Sequence, residues 1–169
     1  ALPISSVLAK IINLDIARQA DRVVAVAPAQ ADYFARSMPA ERVATILVGV
    51  DTGHFNPGSA RKDLGKFRCL SGGGWLRDYG AVWRTAELLA GVPEIEFHVV
   101  GPPVAPPAAL TNVIVHRGIP DAALLDLYRN CHALFLPLQD ATANTFLLEG
   151  SACGLPIVSS ELPSLRAYF

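Results

Sequence analysis

Leu136 to Ser159 reads Leu-Pro-Leu-Gln-Asp-Ala-Thr-Ala-Asn-Thr-Phe-Leu-Leu-Glu-Gly-Ser-Ala-Cys-Gly-Leu-Pro-Ile-Val-Ser. The apolar run Ala133–Leu136 has strand character and stops at Pro137, whose ring removes a backbone donor. A polar loop leads to Asn144-Thr145, a helix is expected over Thr145–Ala152, and Gly154-Leu155-Pro156 turns the chain into a strand over Pro156–Ser159. Strand, helix and strand in so few residues form the unit that builds a parallel sheet with covering helices. Glu149 sits in that helix beside Leu147, Leu148 and Ala152. A carboxylate on an apolar helix face needs a polar partner. A ribose diol is one such partner; a first-turn carboxylate held by the helix dipole is the simpler alternative.

The same alternation extends upstream. Expected elements are a strand Phe67–Leu70, a glycine loop Ser71–Gly74, a helix near Gly80–Leu89, a strand Ile95–Val100, a turn Gly101–Pro107, a short strand Val113–Val115 and a helix Asp121–Asn130. Near-continuous apolar strands alternating with helices predict an α/β fold whose parallel sheet is covered on both faces. About four strands are legible in this second sheet, and a last helix is cut at Ser164–Phe169. Such sheets bind ligands at the carboxyl ends of their strands. Before it come a helix Leu8–Ala20, a strand Val23–Val26, a helix Pro28–Met38 closed by Pro39, and a strand Val43–Val48. Asp51–Lys66 is rich in Thr, Gly, His, Asn, Pro and Ser, the composition of a solvated connection, so a domain boundary is expected there.

Ser71-Gly72-Gly73-Gly74-Trp75-Leu76-Arg77-Asp78 falls between a strand and a helix. Glycines let a backbone approach a phosphate, amides and the helix start donate to it, and Arg77 adds a charged fork. A tight turn with a surface arginine is the other reading. Trp75 is expected to pack rather than to cover a ligand, and Trp83 to lie in the core.

The 169 residues are 51% hydrophobic, enough for the core of one or two compact domains. Lys and Arg total 14 against 15 Asp and Glu, so nothing here attracts a phosphodiester backbone, and nucleic acid is excluded as a partner. No apolar run approaches the roughly 20 residues that span a bilayer, and no signal peptide is read. Cys69, Cys131 and Cys153 are scattered, with no metal-ligand spacing, and read as small buried hydrophobes of a reduced, cytoplasmic protein. His54, His98, His116 and His132 occur singly and are read as surface or strand-end residues, with His98 the one near a strand's carboxyl end.

Four ordered stretches carry a family resemblance. Glu149-Gly-Ser-Ala-Cys-Gly-Leu-Pro-Ile-Val-Ser resembles the E-A-m-A-c-G-l-P-V-v-a signature of family 4 retaining glycosyltransferases. Val43–Pro57, with Gly49-Val50-Asp51-Thr52 and Phe55-Asn56-Pro57, resembles that family's inter-domain segment. His98-Val99-Val100-Gly101-Pro102 resembles its glycine-ended strand, and Val115–Pro137, with Gly118, Asp121, Leu124, Tyr128 and Pro137, resembles the segment that follows.

The resemblance implies a GT-B fold of Rossmann-like parallel sheets with helices on both faces. The chain then reads as a fragment: 1–50 as the end of the acceptor-side domain, 51–66 as the linker, and 67–169 as most of the donor-binding domain. It implies that Glu149 bonds the ribose and that Asn144, Thr145 and Phe146 face donor sugar or phosphate. Gly72, Gly73, Gly74 and Arg77 would hold the diphosphate, and the backbone at Ile119 would lie against the base. Where the family has its first acidic residue this chain has Ala141, with Asp140 adjacent as the available carboxylate. Where it has a basic pair, this chain has Gly74-Trp75 and Tyr79-Gly80, leaving Arg77 as the cation for diphosphate stabilisation. No catalytic side chain is identified beyond that.

The implied activity is retaining transfer of a hexose-type sugar from a nucleoside diphosphate sugar, with no metal or other cofactor. The acceptor would be a growing polysaccharide, a lipid-linked sugar or a small molecule, with peripheral membrane association through a domain not in this chain. Two rivals remain: a non-catalytic nucleotide-binding or scaffold module, and a sugar-nucleotide epimerase of the same fold, which would need acid/base residues not seen here.

Overall fold

The computed structural model describes residues 14–59 and 65–169. The expected helix start at Leu8 and residues 60–64 of the expected connection lie outside them. The chain divides into two compact units, Ala1–Gly49 with Asp140–Asn144 and Glu161–Phe169, and Val50–Gln139 with Thr145–Ser160.

In the first unit, α1 (Leu14–Gln19), β1 (Val23–Ala25), α2 (Pro28–Ala35) and β2 (Val43–Thr45) follow one another. The β-branched run around Val23 pairs in parallel with β2, Val23 opposite Val43 and Ala25 opposite Thr45. Pro28 opens α2, where its fixed φ suits the helix and its missing amide costs nothing. The helix buries Phe34, and Ala25, Ala27 and Met38 are buried with it. Far along the chain, the Tyr168 phenol donates to the Val26 carbonyl and accepts from the Val48 amide at 3.1 Å.

The second unit holds β3 (Phe67–Gly72), α3 (Tyr79–Leu88), β4 (Ile95–Val100), β5 (Val113–His116), α4 (Asp121–Asn130), β6 (Ala133–Leu136), α5 (Thr145–Ala152) and β7 (Ile157–Ser159). The five strands are all parallel, in the order β5-β4-β3-β6-β7, and each corresponds to one of the expected strands. On one face Phe97 and Val99 of β4 meet Tyr79, Val82 and Ala86 of α3. The opposite face carries α4 and α5. A Cβ on Gly150 of α5 would sit 2.9 Å from Leu134 of β6 and 3.6 Å from Tyr128 of α4, so glycine is what lets the helix lie this close. Helices thus cover both faces, as the strand composition predicts. Each fully buried side chain such as Phe97 or Leu134 contributes about 1.5–3 kcal/mol.

Several local expectations are corrected. Ser71 and Gly72 belong to β3, so the glycine turn begins at Gly73. Asp78 caps α3, accepting from the Ala81 amide at 2.8 Å, which fixes where that helix starts. Trp75 is 65% exposed rather than packed. Trp83 is half-buried, stacked on Tyr79 at 5.4 Å. The described start of the connection is tied down, because Arg129 of α4 donates to the Asn56 carbonyl at 3.0 Å and side chain at 2.8 Å. All three cysteines are free thiols, and Cys131 and Cys153 are buried. Cys69 is half-buried, and burial pushes its pKa up to about 11. No helix among the described residues is long and apolar enough to cross a membrane.

Candidate functional site

β3 and β6 are neighbours at the centre of the sheet, yet β3 leads through α3 outward to β4 while β6 leads through α5 outward to β7. Between strands whose connections diverge in this way the carboxyl ends open into a crevice. The turn after β3 and the segment after β6 both emerge there. They are laced together by the Asp78 amide on the Pro137 carbonyl at 3.0 Å and the Gln139 amide on the Leu76 carbonyl at 2.9 Å.

The glycines have distinct reasons. A Cβ on Gly72 would lie 2.5 Å from Cζ of Phe146, so the α5 aromatic occupies that space. Gly73 has φ +86°, and a Cβ there would meet Arg77 Nη2 at 2.8 Å. Gly74 has open space around it. The loop carbonyls are consumed from within: Arg77 donates to Gly72 O at 2.9 Å and Trp75 O at 3.0 Å, and the Tyr79 phenol donates to Gly73 O at 2.5 Å. Among the described residues no acceptor takes the amides of Gly74, Trp75 and Leu76. The turn therefore has the carbonyls of Gly72, Gly73, Trp75 and Leu76 covered and three successive donors uncommitted, which is the polarity that favours an anion. Burial lowers the Arg77 pKa from its usual value, with the nearby Tyr79 and Tyr128 acting the other way.

Glu149 lies one turn into α5 and half-buried. Its partner in the structure is a phenol: Tyr128 Oη donates to Glu149 Oε2 at 2.7 Å. Tyr128 is fully buried, its ring 5.1 Å from Phe146 and edge-on to Phe55 at 6.0 Å. Burial raises the Glu149 pKa; the Tyr128 hydrogen bond opposes this, Asp121 adds to it and His54 reduces it. Burial, then the Glu149 charge, holds the Tyr128 phenol far above its usual range, so it remains a donor. Glu149, Tyr128, Phe146 and Gly72 thus form one continuous series of contacts on one face of the sheet.

The other expected residues differ in their surroundings. Phe146 is core, so only its backbone is available to a ligand. Thr145 is exposed at the start of α5. Ile119 lines a cavity of about 370 Å³ beside α4, with Arg68, His116, Leu127 and Asn130. Asp140 and Asn144 belong to the first unit and are buried there, Asp140 accepting from the Ala141 amide at 2.8 Å. Sequence reasoning missed Tyr128 as the partner of Glu149, Tyr79 as a brace of the turn, and a chain from buried Glu96 and His98 to half-buried His116. The alternation Glu96-Phe97-His98 was the available signal for that chain, since it puts both polar residues on one face. His98 is accordingly buried, not superficial.

Two parallel-sheet units, one with a glycine turn at its central crevice, define a Rossmann-like α/β fold of the kind found in GT-B glycosyltransferases. Over 89% of its length the chain is 27% identical to a D-inositol 3-phosphate glycosyltransferase of Saccharomonospora viridis, spanning 42% of that protein. Solved structures share the fold, among them the following glycosyltransferases and related enzymes. Anabaena HepE in complex with UDP-glucose superimposes with a TM-score of 0.71 at 16% identity, covering 92% of this chain and 50% of HepE. Sucrose-phosphate synthase from Thermosynechococcus elongatus gives 0.71 at 20% identity, covering 91% and 44%. WaaG, a glycosyltransferase involved in lipopolysaccharide biosynthesis, gives 0.67 at 18% identity, covering 87% and 46%. The chain therefore spans half or less of these relatives. No family model matches it.

Proposed function

We propose that this chain is the donor-binding part of a glycosyltransferase that moves a sugar from a nucleoside diphosphate to an acceptor with retention of configuration. The observation that carries the reading is the contact series from Glu149 through Tyr128 and Phe146 to Gly72, which ties a ribose-binding carboxylate to the edge of an anion-binding turn. Similarity to a glycosyltransferase sequence and to a neighbour solved with UDP-glucose supports it.

In this reading Glu149 accepts from the ribose hydroxyls, oriented by Tyr128. The amides of Gly74–Leu76 meet the diphosphate, and Arg77, fixed by two loop carbonyls, adds positive charge. Stabilising the departing diphosphate is the catalytic contribution, and losing one such donor typically costs about 10²–10³ in rate. Ile119 is assigned to the base, and Thr145 to sugar or phosphate. The scheme assigns no metal. The nearest rival is a nucleotide-binding module without transfer activity, favoured by Ala141 standing where the family has a carboxylate.

Calorimetric titration of UDP, GDP and ADP into the chain and its Glu149→Ala variant tests the reading. One nucleotide should bind, and the variant should bind it at least about tenfold more weakly. Equal affinities would remove Glu149 from the site. Binding without sugar transfer or donor hydrolysis by any longer protein containing this chain would favour the module.

A further inference from the structure

The turn after β3 carries an indole that its surroundings leave uncovered. Trp75 is 65% exposed, and among the described residues no other ring contacts it. Phe67, the other exposed aromatic of this unit, stacks on His132 at 5.1 Å. A single exposed apolar side chain is ordinary. What sets Trp75 apart is the backbone that carries it.

The Trp75 carbonyl accepts from Arg77 Nη1 at 3.0 Å, and the Leu76 carbonyl accepts from the Gln139 amide at 2.9 Å. Arg77 then pairs with Leu138 in an antiparallel bridge. Between these ties Leu76 is held at φ +54°, and among the described residues no other non-glycine has a positive φ. Leucine lacks the short polar side chain that eases Asn or Asp into this region, and such a conformation persists where surrounding bonds over-determine it. Trp75 therefore stands on a stiff support, fixed by Arg77 and by the segment after β6. Its own amide is the middle one of the three uncommitted donors. The contact series from Glu149 meets the turn at the other end, where Phe146 fills the space a Cβ on Gly72 would need.

We infer, on the basis of the donor-binding reading above, that the Trp75 indole is the platform on which the transferred sugar of the donor rests. A nucleoside diphosphate held in that way has its ribose on the Glu149 side and its phosphates on the amides of Gly74–Leu76. The sugar on the far phosphate then leaves beside the indole. A pyranose carries hydroxyls around its rim and C–H bonds on its faces, and a C–H face lies well against the electron-rich face of an indole. Such a platform favours a ring with one face clear of axial hydroxyls.

The test is calorimetric titration of the chain and of Trp75→Ala with UDP, GDP and ADP, and with the glucose conjugate of each. For the nucleotide that binds, the ratio of conjugate affinity to free-nucleotide affinity should fall roughly three- to tenfold in Trp75→Ala. Affinity for the free nucleotide should stay within about twofold, because the side chain is exposed and the backbone amide is kept. Trp75→Phe should restore part of the ratio. Acrylamide quenching provides a second readout: Trp75 is the more exposed of the two tryptophans, and the conjugate should shield it where the free nucleotide does not. An unchanged ratio in Trp75→Ala would overturn the inference and leave the donor-binding reading standing. Equal weakening of nucleotide and conjugate would do the same and would put the indole on the base. Failure of every nucleotide to bind the chain would overturn both.

Discussion

Tyr128 Oη stands 2.7 Å from Glu149 Oε2, joining two helices that cover the same face of the sheet. The bond does two things: it satisfies a half-buried carboxylate, and it fixes which oxygen of that carboxylate is spoken for. Replacing Tyr128 with Phe keeps the ring against Phe146 and Phe55 and removes only the donor. Stability should fall by about 1 kcal/mol, and nucleotide affinity by roughly three- to tenfold. Thermal melts and calorimetry on the same variant check both.

Gly72 and Gly74 should behave oppositely. Gly72→Ala drives a methyl group into the Phe146 ring, and overpacking of this kind costs about 1–3 kcal/mol. Shrinking the ring with Phe146→Leu should return part of that loss, which a double-mutant cycle measures. Gly74→Ala enters open space and should change stability by less than about 0.5 kcal/mol. Equal effects at the two positions would contradict the assigned roles.

Glu149 has a raised pKa in the fold, mainly through burial. A carboxyl raised above its unfolded value binds extra protons when folded. Its stabilising effect is present below the unfolded value and is lost as pH rises through the folded one. At neutral pH the ionised Glu149 therefore costs stability. Glu149→Gln, which still accepts from Tyr128, should melt slightly higher than the parent near neutral pH, and the gain should vanish in acid. The same variant should bind nucleotide more weakly, as expected when a site is held at the expense of stability.

Glu96 shows the reverse sign. Its pKa is depressed from 4.5 to about 2, so its contribution is present above the ordinary value and is lost as pH falls towards the depressed one. Glu96→Gln should cost on the order of 3 kcal/mol near neutral pH, because Arg68 and Lys66 lose a buried partner. Its stability should then decline less between about pH 5 and pH 2, measured by denaturant melts across that range.

The alternation of strand and helix was legible because β6 is apolar over four residues and stops at Pro137, while β3 and β4 carry alternating apolar residues and run into Gly72 and Gly101. Glu149 was legible as a carboxylate out of place on its helix, but its partner was not. Tyr128 precedes it by 21 residues and on a different helix, a separation no local period reports. Gly72 looked like one of three equivalent loop residues, and only the position of Phe146 shows that it ends a strand and accommodates a ring. Asp140 and Asn144 were placed by their neighbours in sequence, whereas tertiary contacts assign them to the first unit. His98 read as a lone histidine because Arg68 and His116 come from the strands on either side of its own, and the alternation that puts Glu96 on its face was not used.

The central claim is that the turn at Gly74 and the carboxylate at Glu149 serve one nucleotide. Amide shift mapping with uridine, then with UDP, tests it most directly. Uridine should perturb resonances around Glu149 and Tyr128 while leaving Gly74 still, and UDP should move both regions with one shared dissociation constant. Shifts at Gly74 and at Glu149 that saturate independently, or a Gly74 amide that ignores UDP, would contradict it.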